Sequence, residues 1–207
     1  MKIFITGIST DVGKTISSAI VVESLKADYW KPIQAGDLEN SDSSKVKRLI
    51  SNTTSVLFSN SYKLITPASP HLAAKIDGVE IKIESIKAPE TKNNLVIEGA
   101  GGLFVPLNDH DCIIDIIKLE YKVILVSRHY LGSINHTILS IEALKNRGIE
   151  VGGIIFSGNK NDATEAIIQS KYNIPVIGRI AEEPYFDQDV ILDYANQFRE
   201  NLEAMIA

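Results

Sequence analysis

The opening of the chain constrains its fold more than any other feature. Lys2–Thr6 (KIFIT) is a short apolar run, Gly7-Ile8-Ser9-Thr10-Asp11-Val12-Gly13-Lys14-Thr15 follows, and a segment of helical period begins at Lys14 and continues to Lys26. A strand, a glycine-bracketed loop ending in Gly-Lys-Thr and a helix together make a phosphate-binding loop. Glycines let backbone N–H groups face an anion, and the helix N-terminus adds partial positive charge. The lysine reaches the outer phosphates and the threonine hydroxyl can hold Mg²⁺. Five residues separate Gly7 from Gly13 where the usual loop has four, so the strand-loop-helix context carries the assignment. The bland competitor is a glycine turn capped by Thr10 or Asp11 beside a solvated lysine.

Such a loop belongs to an α/β sheet, and the rest of the chain agrees. Apolar runs recur at Tyr29–Ile33, Asn94–Glu98, Lys122–Ser127, Val151–Phe156 and Val176–Ile180, several of them apolar at consecutive positions as doubly buried strands are. Segments of helical period lie between or after them, at 43–50, 111–119, 134–147, 162–172 and about 188–205. This alternation predicts a doubly wound, mainly parallel sheet with helices on both faces, like that of P-loop NTPases. Prolines 67, 70 and 89 and Gly78 interrupt any period over 51–93, which reads as a lobe over the sheet's carboxyl edge, with SPHLAA opening a short helix.

With 207 residues and no linker-like shift in composition, the expectation is one domain over 1–207. A net charge of −5 without a basic stripe excludes an electrostatic footprint for nucleic acid or an anionic membrane. The single cysteine, Cys112, excludes an internal disulfide, and the N-terminus lacks a cleavable or spanning apolar segment, so a cytoplasmic setting is expected.

Several further residues carry potential chemistry. Glu98 closes a buried strand before Gly99-Ala100-Gly101-Gly102 and can complete a Mg²⁺ shell; otherwise it is a loop carboxylate before a flexible turn. Asp42 alone reads as a helix cap or first-turn acid. Lys31, after Tyr29-Trp30 and before Pro32, is either a snorkelling edge residue or a second cation for phosphate or carboxylate. His71, His110, His129 and His136 show neither i,i+4 pairing nor partner cysteines, which argues against zinc.

The order Lys31-Pro32-Ile33-Gln34-Ala35-Gly36, Ser41-Asp42, Ser69-Pro70-His71, Glu98-Gly99-Ala100-Gly101-Gly102 and Leu131-Gly132-Ser133-Ile134-Asn135-His136 resembles the dethiobiotin synthetase family, over residues 1 to about 156. The resemblance implies ATP and Mg²⁺ as cofactors, with Lys14 and Lys31 around the phosphates and the carbamate. It implies metal ligands at Thr15, Asp42 and Glu98, and nucleotide contacts from Asp11, Val12, Gly13, Lys14, Thr15, Ile16, Asp42, Glu98, Gly99, Ala100, Gly101 and Ser157. It implies 7,8-diaminononanoate and CO₂ or bicarbonate as substrates, met by Ala35, Gly132, Ser133, Ile134 and Asn135, and a homodimer with the substrate site near its interface. Ala35 stands where the family commonly has a hydroxyl, and Phe156-Ser157-Gly158-Asn159 stands where many members set an Asn against adenine.

The alternative is a switch ATPase of the partition or septum-site type. Those loops carry an extra lysine near their start, and Ile8–Thr10 has none. An amidotransferase-type synthetase acting on a corrin side chain would need an additional glutaminase domain, for which the chain has no room.

Overall fold

The consecutive apolar runs become strands buried on both faces, and the amphipathic segments become the helices that cover them. The computed structural model describes residues 1–207. In chain order the elements are β1 (Lys2–Gly7), α1 (Lys14–Leu25), β2 (Asp28–Trp30), β3 (Ile33–Ala35), α2 (Asp42–Leu49), β4 (Leu57–Phe58), β5 (Tyr62–Leu64), α3 (Pro70–Asp77), β6 (Leu95–Gly102), β7 (Lys122–Arg128), α4 (Ser133–Asn146), β8 (Val151–Ser157), α5 (Asp162–Tyr172), β9 (Val176–Ile180) and α6 (Gln188–Ile206).

Seven strands form one parallel sheet in the order β4-β2-β6-β1-β7-β8-β9. From β1 the chain winds outward to β2 and β4, returns to insert β6 beside β1, and then builds β7, β8 and β9 on the other side. The order therefore reverses around β1, and the crevice at its carboxyl end is where open α/β sheets hold ligands. Two apolar cores flank the sheet. One packs α1, α5 and α6 through Ala19–Val22, Ile168, Ile191 and Phe198. The other packs α3 and the 103–117 segment through Ala73, Ala74, Leu107 and Ile113. No helix is long and apolar enough to cross a membrane.

Four expectations change. The run Tyr29–Ile33 is two strands, because the chain leaves the main sheet at Lys31-Pro32 and β3 pairs with β5 in a separate two-stranded sheet. Proline has no N–H to give the ladder, and its carbonyl instead accepts from Tyr62 N at 3.0 Å. The strand expected to end at Glu98 runs on through the glycines, with β6 reaching Gly102 and its register shifting opposite Ile5/Gly7. The segment 111–119 holds a short 3₁₀ turn, Ile113–Ile116, in place of a helix. Its four isoleucines, Ile113, Ile114, Ile116 and Ile117, are all buried, so no polar stripe is left for a surface helix. Finally, the lobe over 51–93 contributes β4 to the main sheet as well as α3.

Candidate active site at the carboxyl edge

The P-loop is shaped by its glycines. Gly13 has φ +96° immediately before α1, and a side chain at Gly7 would come within 2.5 Å of Val12 Cγ2. The first-turn N–H groups of α1 have no intrahelical acceptor and point into the loop. Lys14 folds back over it, donating from Nζ to Ser9 O at 2.9 Å. Burial pulls the Lys14 ammonium down to about 8, against the opposing pull of the Glu98 carboxylate.

Behind the loop lies a buried charge cluster. Lys31 Nζ is 2.6 Å from Asp42 Oδ2 and 2.9 Å from Glu98 Oε1. Thr15 Oγ1 donates to Glu98 Oε1 at 3.0 Å, and Tyr29 Oη donates to Glu98 Oε2 at 2.9 Å. Burial disfavours the Lys31 charge, but the Glu98 and Asp42 carboxylates outweigh it and hold the ammonium above its ordinary value. Burial likewise opposes ionisation of Asp42, and Lys31 outweighs it, so Asp42 sits below the usual carboxylate range. Tyr29 is pushed well above its ordinary value by burial and by Glu98, and stays a donor.

Asp42 is the first residue of α2, whose cap is Ser41: the Ser41 side chain accepts from Ser44 N at 3.3 Å. The cap duty expected of Asp42 thus falls to its neighbour, which frees the carboxylate for the cluster. Gln34 holds this corner, accepting from Asp42 N at 3.2 Å and donating to Gly36 O at 3.0 Å.

The oxygen donors of Thr15, Asp42 and Glu98 therefore converge on a site that Lys31 already fills with a positive charge, a donor set that suits Mg²⁺. No three His, Cys, Asp or Glu side chains cluster as an all-protein metal cage. Two carboxylates and a hydroxyl match the partial protein shell that Mg²⁺ takes when substrate phosphates supply further oxygens.

A cavity of about 1270 Å³ opens over the cluster and brings together Asp11, Gly13, Lys14, Thr15, Ile16, Lys31, Ala35, Asp42, Glu98, Ala100, Gly101 and Ser157. Val12 and Gly99, expected as nucleotide contacts, do not line it. Val12 is buried and Gly99 lies inside β6 against the Phe4 ring. Gly132, Ser133, Ile134 and Asn135 do not line it either; the first turns of α4 border a second, smaller cavity of about 380 Å³, bounded by Ser9, Thr10, Val105, His136 and Leu139. Ser157 lines the large cavity, but its hydroxyl donates to Val12 O at 2.8 Å and ties β8 to the P-loop. Tyr29 and Gln34 were missed in the sequence. Tyr29 and Lys31, two apart in an extended run, both reach Glu98, and that period was the available signal.

A parallel sheet wound about a P-loop, with a lysine-bridged pair of acids behind it, defines a P-loop nucleotide-binding protein. A family model described as an AAA domain matches residues 1–189. An ATP-dependent dethiobiotin synthetase BioD from Christiangramia forsetii is 65% identical, covering 96% of each chain, and that of Cytophaga hutchinsonii is 46% identical over 97% of this chain and 98% of that one. The chain belongs to the ATP-dependent dethiobiotin synthetase family. Among solved structures, a plasmid partition protein from Borrelia burgdorferi bound to AMPPNP matches at TM-score 0.60 and 15% identity, covering 99% of this chain and 97% of that one. The septum site-determining protein MinD of Pyrococcus horikoshii with Mg-ADP matches at 0.57 and 16%, covering 100% and 93%. At such identities these two share the fold alone.

Proposed function

We propose that this cavity closes the ureido ring of dethiobiotin, the reaction of the family. One amine of 7,8-diaminononanoate takes up CO₂ as a carbamate, ATP phosphorylates the carbamate, and the second amine displaces phosphate, leaving ADP and the cyclic urea. The observation that carries this reading is the buried Lys31 ammonium between Asp42 and Glu98, at the foot of the P-loop.

Charge accumulates on phosphoryl and carbamate oxygens during transfer, and preorganised cations stabilise it most where water is excluded. Lys31 is held charged by its two acids and sits under the cavity floor. Lys14, on the loop side, meets the outer phosphates. The free first-turn N–H groups of α1 bind phosphate oxygens, with Asp11, Gly13–Ile16 and Ala100-Gly101 forming the walls. Thr15, Asp42 and Glu98 would hold Mg²⁺, which neutralises charge on the phosphoryl oxygens. Tyr29 and Thr15 orient Glu98 by donating to both of its oxygens.

Gly132–Asn135 lie at the start of α4, whose N-terminal N–H groups suit the substrate carboxylate. Around them Phe104, Leu131, Ile134 and Leu139 are exposed, Leu131 fully, which supports a second copy of the chain covering this face and completing the substrate site there. On this reading Leu139→Asp turns a sedimenting dimer into a monomer. The continuous seven-stranded sheet supports one domain over 1–207, and the lone Cys112 supports a reducing, cytoplasmic setting.

The deciding experiment incubates the protein with diaminononanoate, bicarbonate, Mg²⁺ and ATP. A cyclic urea by mass, formed in step with phosphate, is the expected result. Phosphate release without diamine dependence would instead favour a switch ATPase.

A further inference from the structure

The large cavity is lined by Ala35, Pro67 and Val105, and also by Ser157, by residues of the 180–189 segment and by α2. Half-buried Leu49 and Phe186 are among its walls and supply apolar surface of the kind that takes an aromatic ring. Its polar lining includes Arg128 and Glu182.

Arg128 Nη2 donates to Glu182 Oε1 at 2.7 Å, the one side-chain hydrogen bond either residue makes. This leaves Glu182 Oε2 free to accept and the remaining guanidinium N–H groups free to donate, side by side. Both backbones are fixed. Arg128 ends β7 opposite Ser157, and Gly158 N donates to Ile180 O at 2.9 Å. Ala181 N donates to Tyr194 Oη at 3.0 Å, and Tyr194 Oη donates to Glu183 Oε1 at 2.6 Å, which pins the residues on either side of Glu182. Ser157, by contrast, has its hydroxyl hydrogen committed to Val12 O.

We propose that Arg128 and Glu182 read the base of the nucleotide, favouring bases that present an amino group next to a ring nitrogen over those that present a carbonyl there. The inference rests on the nucleotide reading of the cavity. Adenine offers its 6-amino hydrogens to the carboxylate and ring N1 to the guanidinium, and cytosine offers the same pair through its 4-amino group and N3. Hypoxanthine, guanine and uracil put a carbonyl oxygen where the amine would be, so an acceptor faces an anion and a hydrogen bond is lost. Because the pair is roughly half exposed (42% and 49%), the preference is modest, about tenfold, or about 1.4 kcal/mol.

The test is calorimetric binding of ATP against ITP, CTP against UTP, and inorganic tripolyphosphate, each with Mg²⁺, to the wild type and to Glu182→Ala. The expected result is about tenfold tighter binding of ATP and CTP than of their oxo partners in the wild type. In Glu182→Ala both ratios collapse toward one while tripolyphosphate binds as before, which shows the variant folded and its P-loop intact. Wild-type ratios near one, or ratios that survive Glu182→Ala, overturn the inference and leave the nucleotide reading standing. A wild type that binds tripolyphosphate but none of the nucleotides overturns both.

Discussion

Two buried glutamates served by the same helix behave in opposite ways. Glu23, in the last turn of α1, is 5% exposed, and Glu98, which takes a hydrogen bond from Thr15 in the first turn, is 1% exposed. Glu23 accepts from Ser51 N at 2.8 Å, Ser51 Oγ at 3.0 Å, and Asn52 N and Nδ2 at 3.1 Å each. All its donors are neutral and belong to one dipeptide, so its task is to fasten the 51–52 turn to α1. Glu98 is satisfied by side chains from α1, β2 and the Lys31 corner, one of them a cation shared with a second acid, and Lys31 and Thr15 border the cavity. Burial and full satisfaction are common to both. What separates an anchoring acid from a working one is whether its partners are charged, drawn from several elements, and open to ligand.

That contrast can be broken at several points. The largest effect is expected for Lys14→Ala, which removes the charge over the loop and takes diamine-dependent phosphate release to background; an unchanged rate would sink the P-loop assignment. Glu98→Gln keeps shape but removes half of the acidic support for Mg²⁺, and turnover should fall roughly 10²–10³-fold, the scale of losing one preorganised electrostatic group, with partial recovery at high Mg²⁺. A defect indifferent to Mg²⁺ would argue against a metal role for Glu98.

A pH effect of intermediate size follows from Lys14. Its ammonium in the free protein is lowered to about 8 by burial, and an anion binds the protonated form. Nucleotide affinity should therefore be flat below about 8 and fall by up to about tenfold per pH unit above it, because binding must then take up a proton. Titrating ATP from acid to alkaline pH checks this, and Lys14→Met should lose the inflection.

The smallest effects belong to the anchoring side. Burial opposes ionisation of Glu23, but the Asn52 and Ser51 hydrogen bonds outweigh it and hold its carboxyl below the usual range. It thus contributes stability above the ordinary carboxylate range that is lost as pH falls through its lowered value. Glu23→Gln should cost about 1–3 kcal/mol, or about 2–4 °C in melting temperature per kcal/mol, and flatten that acid-side slope while the folded protein's turnover stays within about twofold. A melting curve that keeps its acid-side slope would remove Glu23 from this role.

What was legible in the sequence follows the same division. The P-loop is local, a strand, nine residues and a helix start, and its parts could be assigned without knowing what lay above them. Glu98 and Lys31 were visible as charges inside apolar strands, but their contact spans 67 residues of chain and no local period encodes it. Taken alone, Asp42 reads as a helix cap, and only the family resemblance points to its carboxylate as a ligand; in the structure Ser41 is the cap. The lobe resisted because Leu57–Phe58 and Tyr62–Leu64 are too short to show alternation, and their pairing is decided by the sheet edge they meet. Ser157 lines the cavity, yet no rule of spacing says that its hydroxyl turns toward the P-loop carbonyl.

The most direct measurement is the initial rate of cyclic urea formation by Glu98→Gln and Glu23→Gln, each expressed per folded molecule at a temperature where both remain native. Glu23→Gln should keep a rate within about twofold of wild type, and Glu98→Gln should lose roughly 10²–10³-fold. Equal rates in the two variants would contradict this, because Glu98 would then be no more than a second buried anchor.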